Sequence, residues 1–118
     1  MTKFSANLGF LFTELSLTEG IVASAKHGFD AVECHFPYAT PATDTKAALD
    51  KAGLKMLGLN TIKGNEANGD NGLCAIPERK TEAIAAIDQA VEYCPDRHTQ
   101  RACDVRHSIR CRRRKLLP

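Results

Sequence analysis

Three short, mainly apolar runs are separated by stretches in which apolar residues recur at helical spacing. The runs at residues 3–10, 29–36 and 54–60 predict β-strands. The third run has few polar positions, which is typical of a strand that is buried on both faces of a parallel sheet.

Three helices are predicted between and after these strands. The first begins with a Ser-Leu-Thr-Glu capping box at residues 16–19 and ends at Gly28, which supplies a left-handed stop. The second begins at Thr40, whose hydroxyl is expected to cap it before a proline in the first turn, and it ends at Gly53. The third carries a clear apolar stripe over residues 83–91.

Strand and helix alternate three times, which predicts parallel strands joined by right-handed crossovers. A doubly wound sheet and a (β/α)-barrel both begin in this way. Neither a GxGxxG nor a GxxxxGK[ST] motif occurs, so a nucleotide-phosphate cradle is disfavoured. The connection over residues 61–72 is long and rich in glycine and asparagine; it lacks the acidic ligands of a calcium loop and is predicted to be a flexible turn.

Basic residues are unevenly distributed, although the net charge is only +2. Arg79 is the only arginine before Cys94, whereas arginine dominates residues 95–118. Such a tail can attract polyanions, but it has no aromatic side chains for base stacking, so no specific nucleic-acid binding is expected.

Five cysteines are present, an odd number without a CxxC pair, so a disulfide framework is not expected. The same absence disfavours zinc at the tail residues that superficially suggest a zinc module, and no metal ligand is assigned. These residues are Cys94, His98, Cys103, His107 and Cys111. With no secretion signal and no apolar run near the ~20 residues of a membrane span, a cytoplasmic location is expected and a membrane partner is not.

Several segments, taken in order, carry a resemblance to a known family. Residues 4–8 read Phe-Ser-Ala-Asn-Leu, residues 28–33 Gly-Phe-Asp-Ala-Val-Glu, residues 36–38 Phe-Pro-Tyr and residues 69–73 Gly-Asp-Asn-Gly-Leu. Together they make residues 1–94 similar to the N-terminal part of the hydroxypyruvate isomerase family, which belongs to the xylose-isomerase-like barrels. Glu78 departs from the glycine that is usual in the family's Pro-Gly-Arg turn.

The resemblance implies an α/β fold: a partial (β/α)8 barrel of the first three βα units over residues 1–94. It also implies a metal-assisted aldose–ketose isomerisation of hydroxypyruvate to tartronate semialdehyde through an enediol, with a small hydroxy or keto acid as substrate. The family's catalytic glutamates and its divalent metal, Mg²⁺ or Mn²⁺, belong to later strands. This chain is therefore expected to bind no metal and to be inactive alone. Self-association is expected for another reason: three parallel strands leave one edge unpaired and one face uncovered. Alternatives are a related sugar-acid isomerase such as 2-oxo-tetronate isomerase, or a non-catalytic fragment with a polyanion-binding tail.

Residues 95–118 depart from the family and are expected to be a non-native, irregular and disordered basic tail. The family continues with a fourth strand of the type Val-His-Ala-Met-Ser-Gly. Codons for residues 99–106 can be chosen so that reading them one base later encodes this strand. A frameshift near Cys94, from mutation or sequencing error, is the resulting hypothesis.

Four polar residues near the C-terminal ends of the predicted strands are candidates for substrate binding: Asn7, Glu33, His35 and Asn60. That end of a (β/α)-barrel forms the active-site face. The alternative is that each is a polar residue satisfied by hydrogen bonds at a strand end, which requires no ligand.

Overall fold

Four short parallel strands form one sheet in the order of the chain. The structure, a computed structural model, describes residues 1–94 and, for the backbone only, residues 104–106. The strands are β1 (Ser5–Asn7), β2 (Ala31–Glu33), β3 (Lys55–Asn60) and β4 (Asp104–Arg106). The first three were predicted, but β1 and β2 are shorter than expected.

Three helices connect or follow these strands: α1 (Leu17–Lys26), α2 (Ala42–Ala52) and α3 (Lys80–Tyr93). The predicted capping box of α1 is confirmed, because Ser16 Oγ accepts from the amide of Glu19 and the Glu19 carboxylate accepts from the amide of Ser16. The predicted stop of α2 is also confirmed, with Gly53 in the left-handed region at φ 68°.

The predicted cap of α2 is wrong. Pro41 occupies the N-cap position, and no side chain caps the helix. The reason is local: the chain forms a 3₁₀ turn at Pro37–Ala39 immediately before, and that turn uses the amide of Thr40 in a bond to the carbonyl of Pro37.

The main core lies between the sheet and the helices, and each helix contributes to it. Ala6, Val32 and Leu59 from the strands are at most 1% exposed. They cluster with Ile21 of α1 and with side chains of α2 and α3, namely Leu49, Ala90 and Tyr93. Burial of these apolar side chains is the principal stabilisation of such a layered unit.

A bulge in β3 adjusts which of its side chains reach this core. Val32 pairs with Met56, but the next residue of β2, Glu33, pairs with Gly58, so Leu57 is an extra residue. Met56 and Leu59, three residues apart, are therefore both buried in the core, while Leu57 is 37% exposed. The expectation that this strand is buried on both faces is wrong, because the described helices cover one face only.

The prediction that the tail is irregular throughout also requires correction. Asp104–Arg106 form β4, which pairs in parallel with β3 from Gly58 to Asn60. The physical reason is that an edge strand presents unpaired amides and carbonyls that another segment can satisfy. The other tail predictions, on disorder, the zinc-like spacing after Cys94 and the basic patch, fall on residues outside the described part. Within the described part, no helix has the length and apolarity needed to cross a membrane.

Candidate functional site

The four predicted residues lie where the parallel strands end, at one edge of the sheet. Asn7 ends β1, Glu33 ends β2 and Asn60 ends β3. Asn7 and Glu33 are register partners, and the amide of Asn60 donates to the carbonyl of His35 at 2.8 Å. Neighbouring strands lie about 4.8 Å apart, so the backbone places these residues side by side.

Alternation along the strands puts three of these residues on the face opposite the helices. Ala6, Val32, Cys34 and Leu59 point into the helix-side core. Since successive side chains in a strand point to opposite faces, Asn7, Glu33 and Asn60, which follow Ala6, Val32 and Leu59, belong to the other face. In a closed barrel that face is the interior.

Asn7 is partly explained by the alternative to ligand binding, in which hydrogen bonds at the strand end satisfy the side chain. Its Oδ1 accepts from the amide of Gly9 at 2.9 Å, and its carbonyl accepts from the amides of Phe10 and Leu11 at 3.0 and 2.9 Å. Asn7 therefore shapes the turn that leaves β1. A ligand can still use its amide nitrogen, for which no bond to another described residue is recorded.

The ring of His35 is held in place by the same turn. It meets the ring of Phe10 edge-on at a centroid distance of 4.8 Å and that of Phe36 at 6.0 Å. A Cβ built on Gly9 would collide with the imidazole, so this close approach requires glycine. Sequence reasoning missed both Gly9 and Phe10, because neither residue carries a polar group that signals a site.

Asn60 is fixed through its backbone by an aromatic residue. The Tyr38 hydroxyl donates to the carbonyl of Asn60 at 2.5 Å. The Tyr38 ring packs edge-on against Tyr93 of α3 at 5.4 Å. Tyr38 was not a predicted site residue, although the Phe-Pro-Tyr motif that contains it was a signal of the family.

A pocket of about 230 Å³ lies beside His35, between the β1–α1 and β2–α2 connections. Its walls include Gly9 and Phe12 from the first connection and Pro37 and Thr40 from the second. His35 is the only predicted site residue that lines it. Asn7, Glu33 and Asn60 lie instead on the open face of the sheet, so the structure does not gather all four around one cavity.

The connection between β3 and α3, predicted to be a flexible turn, is spanned by a partly buried ion pair. Arg79 donates to Asp70 at 2.6 Å, and the same Asp70 oxygen accepts from the amide of Asn65 at 2.6 Å. The hydrogen bond from Arg79, with that from the Asn65 amide, lowers the pKa of the Asp70 carboxyl. Glu78 is exposed within the 3₁₀ turn Pro77–Arg79 and has no positive φ, so this turn tolerates the departure from glycine.

The described residues do not fit a catalytic metal. Among residues 1–94, no three histidine, cysteine, aspartate or glutamate side chains stand close enough together to hold an ion. Cys34 does not fit the role of nucleophile either, because burial raises the pKa of its thiol to about 12 and its sulfur contacts that of Met56 at 3.6 Å. What this arrangement offers is hydrogen bonding to a small polar molecule.

Comparison with known proteins identifies the relatives of this chain. It is 42% identical over 107 residues to 2-oxo-tetronate isomerase of Haemophilus influenzae, a match covering 86% of this chain and 42% of that protein. It is 42% identical over 103 residues to the putative hydroxypyruvate isomerase of Homo sapiens, covering 81% of this chain and 37% of that protein. The chain thus spans about two fifths of the length of these relatives. No protein-family model matches it.

A solved structure shows which fold this chain shares. An AP endonuclease of family 2 from Brucella melitensis superimposes with a TM-score of 0.73 at 33% identity, covering 79% of this chain and 36% of that one. The fold is part of a xylose-isomerase-like (β/α)8 barrel, as predicted. Over about four fifths of its length, this chain is homologous to part of the hydroxypyruvate isomerase and 2-oxo-tetronate isomerase family.

Proposed function

We propose that this chain forms part of the substrate-binding wall of an isomerase that acts on a small hydroxy or keto acid, with hydroxypyruvate as the first candidate. The observation that carries the proposal is its identity of about 40% to isomerases over about four fifths of the chain. The polar residues on the open face at the strand ends support it, since barrel enzymes bind substrate there.

A second substrate has specific support. The relatives from Haemophilus influenzae and Pectobacterium atrosepticum, at 42% and 43% identity, are both named 2-oxo-tetronate isomerase. Both candidate substrates are small keto acids, and both isomerisations move a proton between adjacent carbons. The same face of the sheet can therefore serve either substrate, and direct comparison of the two decides between them.

The contribution of the described residues is binding and orientation. Glu33 is half-buried at the end of β2 and, when ionised, accepts hydrogen bonds from substrate hydroxyl groups. The amides of Asn7 and Asn60 can donate to carbonyl or hydroxyl oxygens. Mg²⁺ or Mn²⁺ is proposed only for the intact enzyme, where a cation would stabilise an enediolate.

We further propose that the chain alone does not turn over substrate, since no three histidine, cysteine, aspartate or glutamate side chains of the described residues stand close enough together to hold a metal ion. The test compares the purified chain with a chimera in which residues 1–94 replace the equivalent part of the Haemophilus influenzae relative. The chimera is expected to isomerise hydroxypyruvate or 2-oxo-tetronate, whereas the chain alone should show no activity above background. Turnover by the chain alone would disprove its inactivity.

A matched pair of variants tests the binding face within the chimera. Glu33→Gln keeps the shape of the side chain but removes its charge and should raise KM. Glu92→Gln removes a carboxylate from the exposed side of α3 and should change nothing. Equal kinetics for both variants, or a folded chimera without isomerase activity, would contradict the proposed function.

Three expectations about the whole molecule remain proposals. The frameshift near Cys94 is tested by the coding DNA, because codons that cannot yield the fourth strand in the shifted frame would reject it. A cytoplasmic location accords with the odd cysteine count, and fractionation of the producing cells tests it. Self-association is expected from the uncovered face of the sheet, and sedimentation velocity tests it.

A further inference from the structure

One basic side chain, that of Lys63, lies beside the candidate site at the ends of β2 and β3. Lys63 follows β3, three residues after Asn60, and its Nζ lies 5.2 Å from the centroid of the Phe36 ring. Phe36 adjoins His35, and their rings are 6.0 Å apart. The Lys63 ammonium group is therefore next to the edge at which β2 and β3 end.

The positive charge of Lys63 is available, whereas that of its neighbour Arg79 is not. Arg79 is held by Glu82 through two bonds of 2.9 and 2.6 Å and by Asp70 at 2.6 Å. Within the described part of the chain, Lys63 forms its ion pair with Glu66, at 3.5 Å, and the Glu66 side chain is 66% exposed. Such exposed pairs contribute little free energy, so a ligand carboxylate can replace Glu66 at small cost.

The position of Lys63 is nevertheless defined. Its side chain is 34% exposed, and its ammonium group stands over the face of Phe36, a cation–π contact. Its carbonyl accepts from the amide of Gly72 at 3.0 Å, which closes the loop behind it. The cation–π contact reduces the conformational freedom that the side chain would lose on binding an anion, and the backbone bond fixes the loop that carries it.

We propose that Lys63 anchors the carboxylate of the small acid that binds at the ends of β2 and β3. This inference rests on the proposed function and adds the group that recognises the acid. The substrates proposed above carry a carboxylate, yet Asn7 and Asn60 are neutral amides and Glu33, when ionised, would repel it. Binding to Lys63 directs the carboxylate away from Glu33 and leaves the hydroxyl and carbonyl oxygens toward the strand ends.

The test is a titration of the full-length, ¹⁵N-labelled chain, followed by NMR, with glycerate as a stable three-carbon acid and dihydroxyacetone as a neutral analogue. Glycerate should shift the amides of Phe36, Asn60 and Lys63. The variant Lys63→Met should weaken glycerate binding about tenfold or more, as expected for loss of a charge-assisted contact. It should leave dihydroxyacetone binding unchanged, and Lys63→Arg should restore most of the glycerate affinity.

The control is Lys46→Met, which removes the same charge from an exposed pair with Asp50 on α2. It should bind glycerate as the unmodified chain does. Equal weakening by both variants would mean general electrostatic attraction and would overturn the inference. Unchanged binding by Lys63→Met, or no glycerate-dependent shift near Phe36 in the unmodified chain, would also overturn it. The proposed function is judged separately, by turnover of the chimera.

Discussion

At the scale of single residues, the ring of His35 occupies the space that a side chain on residue 9 would need. Replacing Gly9 with alanine forces the imidazole or the β1–α1 turn to move. We expect Gly9→Ala to destabilise the chain by about 1–3 kcal/mol, the usual range for overpacking. Urea unfolding at fixed protein concentration measures the change.

His35→Ala supplies the control for that experiment. If the imidazole causes the penalty, adding Gly9→Ala in the His35→Ala background should cost much less than in the unmodified chain. A double-mutant cycle reports this coupling directly. The same penalty in both backgrounds would show that the backbone conformation of residue 9, and not the ring, requires glycine.

The Asp70 carboxyl determines how the loop between β3 and α3 should respond to acid. Hydrogen bonds from Arg79 and from the Asn65 amide lower its pKa in the folded state. The stabilisation is therefore present above the unfolded value of about 3.9 and is lost as the pH falls through the folded pKa. Hydrogen exchange of the Asn65 and Gly72 amides should accelerate relative to the rest of the chain below about pH 4.

The variant Asp70→Asn should make this loop exchange rapidly already at neutral pH and remove the acid dependence specific to it. Asp50→Asn, in the exposed Lys46–Asp50 pair of α2, serves as the control and should leave the loop unchanged. If the loop of Asp70→Asn still exchanges faster as the pH falls, the assignment to this carboxyl is refuted.

At the scale of elements, α1 and α2 begin in different ways. Ser16 caps α1 with a complete capping box, whereas α2 has no side-chain cap. Ser16→Ala should therefore lower stability by about 0.5–2 kcal/mol. Thr40→Ala, at the position where the sequence predicted a cap, should have little effect. Chemical denaturation followed by circular dichroism compares the two, and a larger loss from Thr40→Ala would contradict the observed caps.

Elements with a local chemical signal were predictable from the sequence. The capping box at Ser16 and the left-handed stop at Gly53 depend on neighbours a few residues away. The extra residue in β3, Leu57, was not predictable, because it depends on register with another strand. The same holds for the site. Its four polar residues could be predicted because they lie near the ends of predicted strands. The close approach of His35 to Gly9 could not, because it depends on how the turn folds.

At the scale of the whole molecule, a buried hydroxyl pair ties α3 to the rest of the core. The Tyr93 hydroxyl donates to the carbonyl of Thr40 at 2.7 Å and lies 2.8 Å from Thr45 Oγ1. Thr45 is fully buried, so Tyr93→Phe removes the hydroxyl partner recorded for it. We expect a loss of about 1–3 kcal/mol by thermal or urea unfolding. Adding Thr45→Val removes the Thr45 hydroxyl that has lost this partner and should recover part of the lost stability. No recovery would contradict this account.

The uncovered face and open edge of the sheet favour association of whole chains. Among the described residues, helices cover one face of the sheet, and β1 is an edge strand. Phe4, Phe10 and Leu57 expose 63%, 74% and 37% of their surface. Unpaired strand edges and exposed apolar side chains promote association. Sedimentation velocity of the purified chain should therefore show a mass above that of one chain, increasing with concentration.

The edge of β1 allows a specific variant. Phe4 and Leu8 use their backbone groups to pair with the β2 side, so by alternation the amide of Ser5 faces the open edge. Ser5→Pro removes that outward donor without removing a bond to β2, and edge strands tolerate proline. It should reduce association while the circular dichroism of the helices is retained. A chain that stays monomeric at every concentration would show that the uncovered face does not drive association. Unchanged oligomers of a folded Ser5→Pro variant would assign the contact to the apolar surface instead of the strand edge.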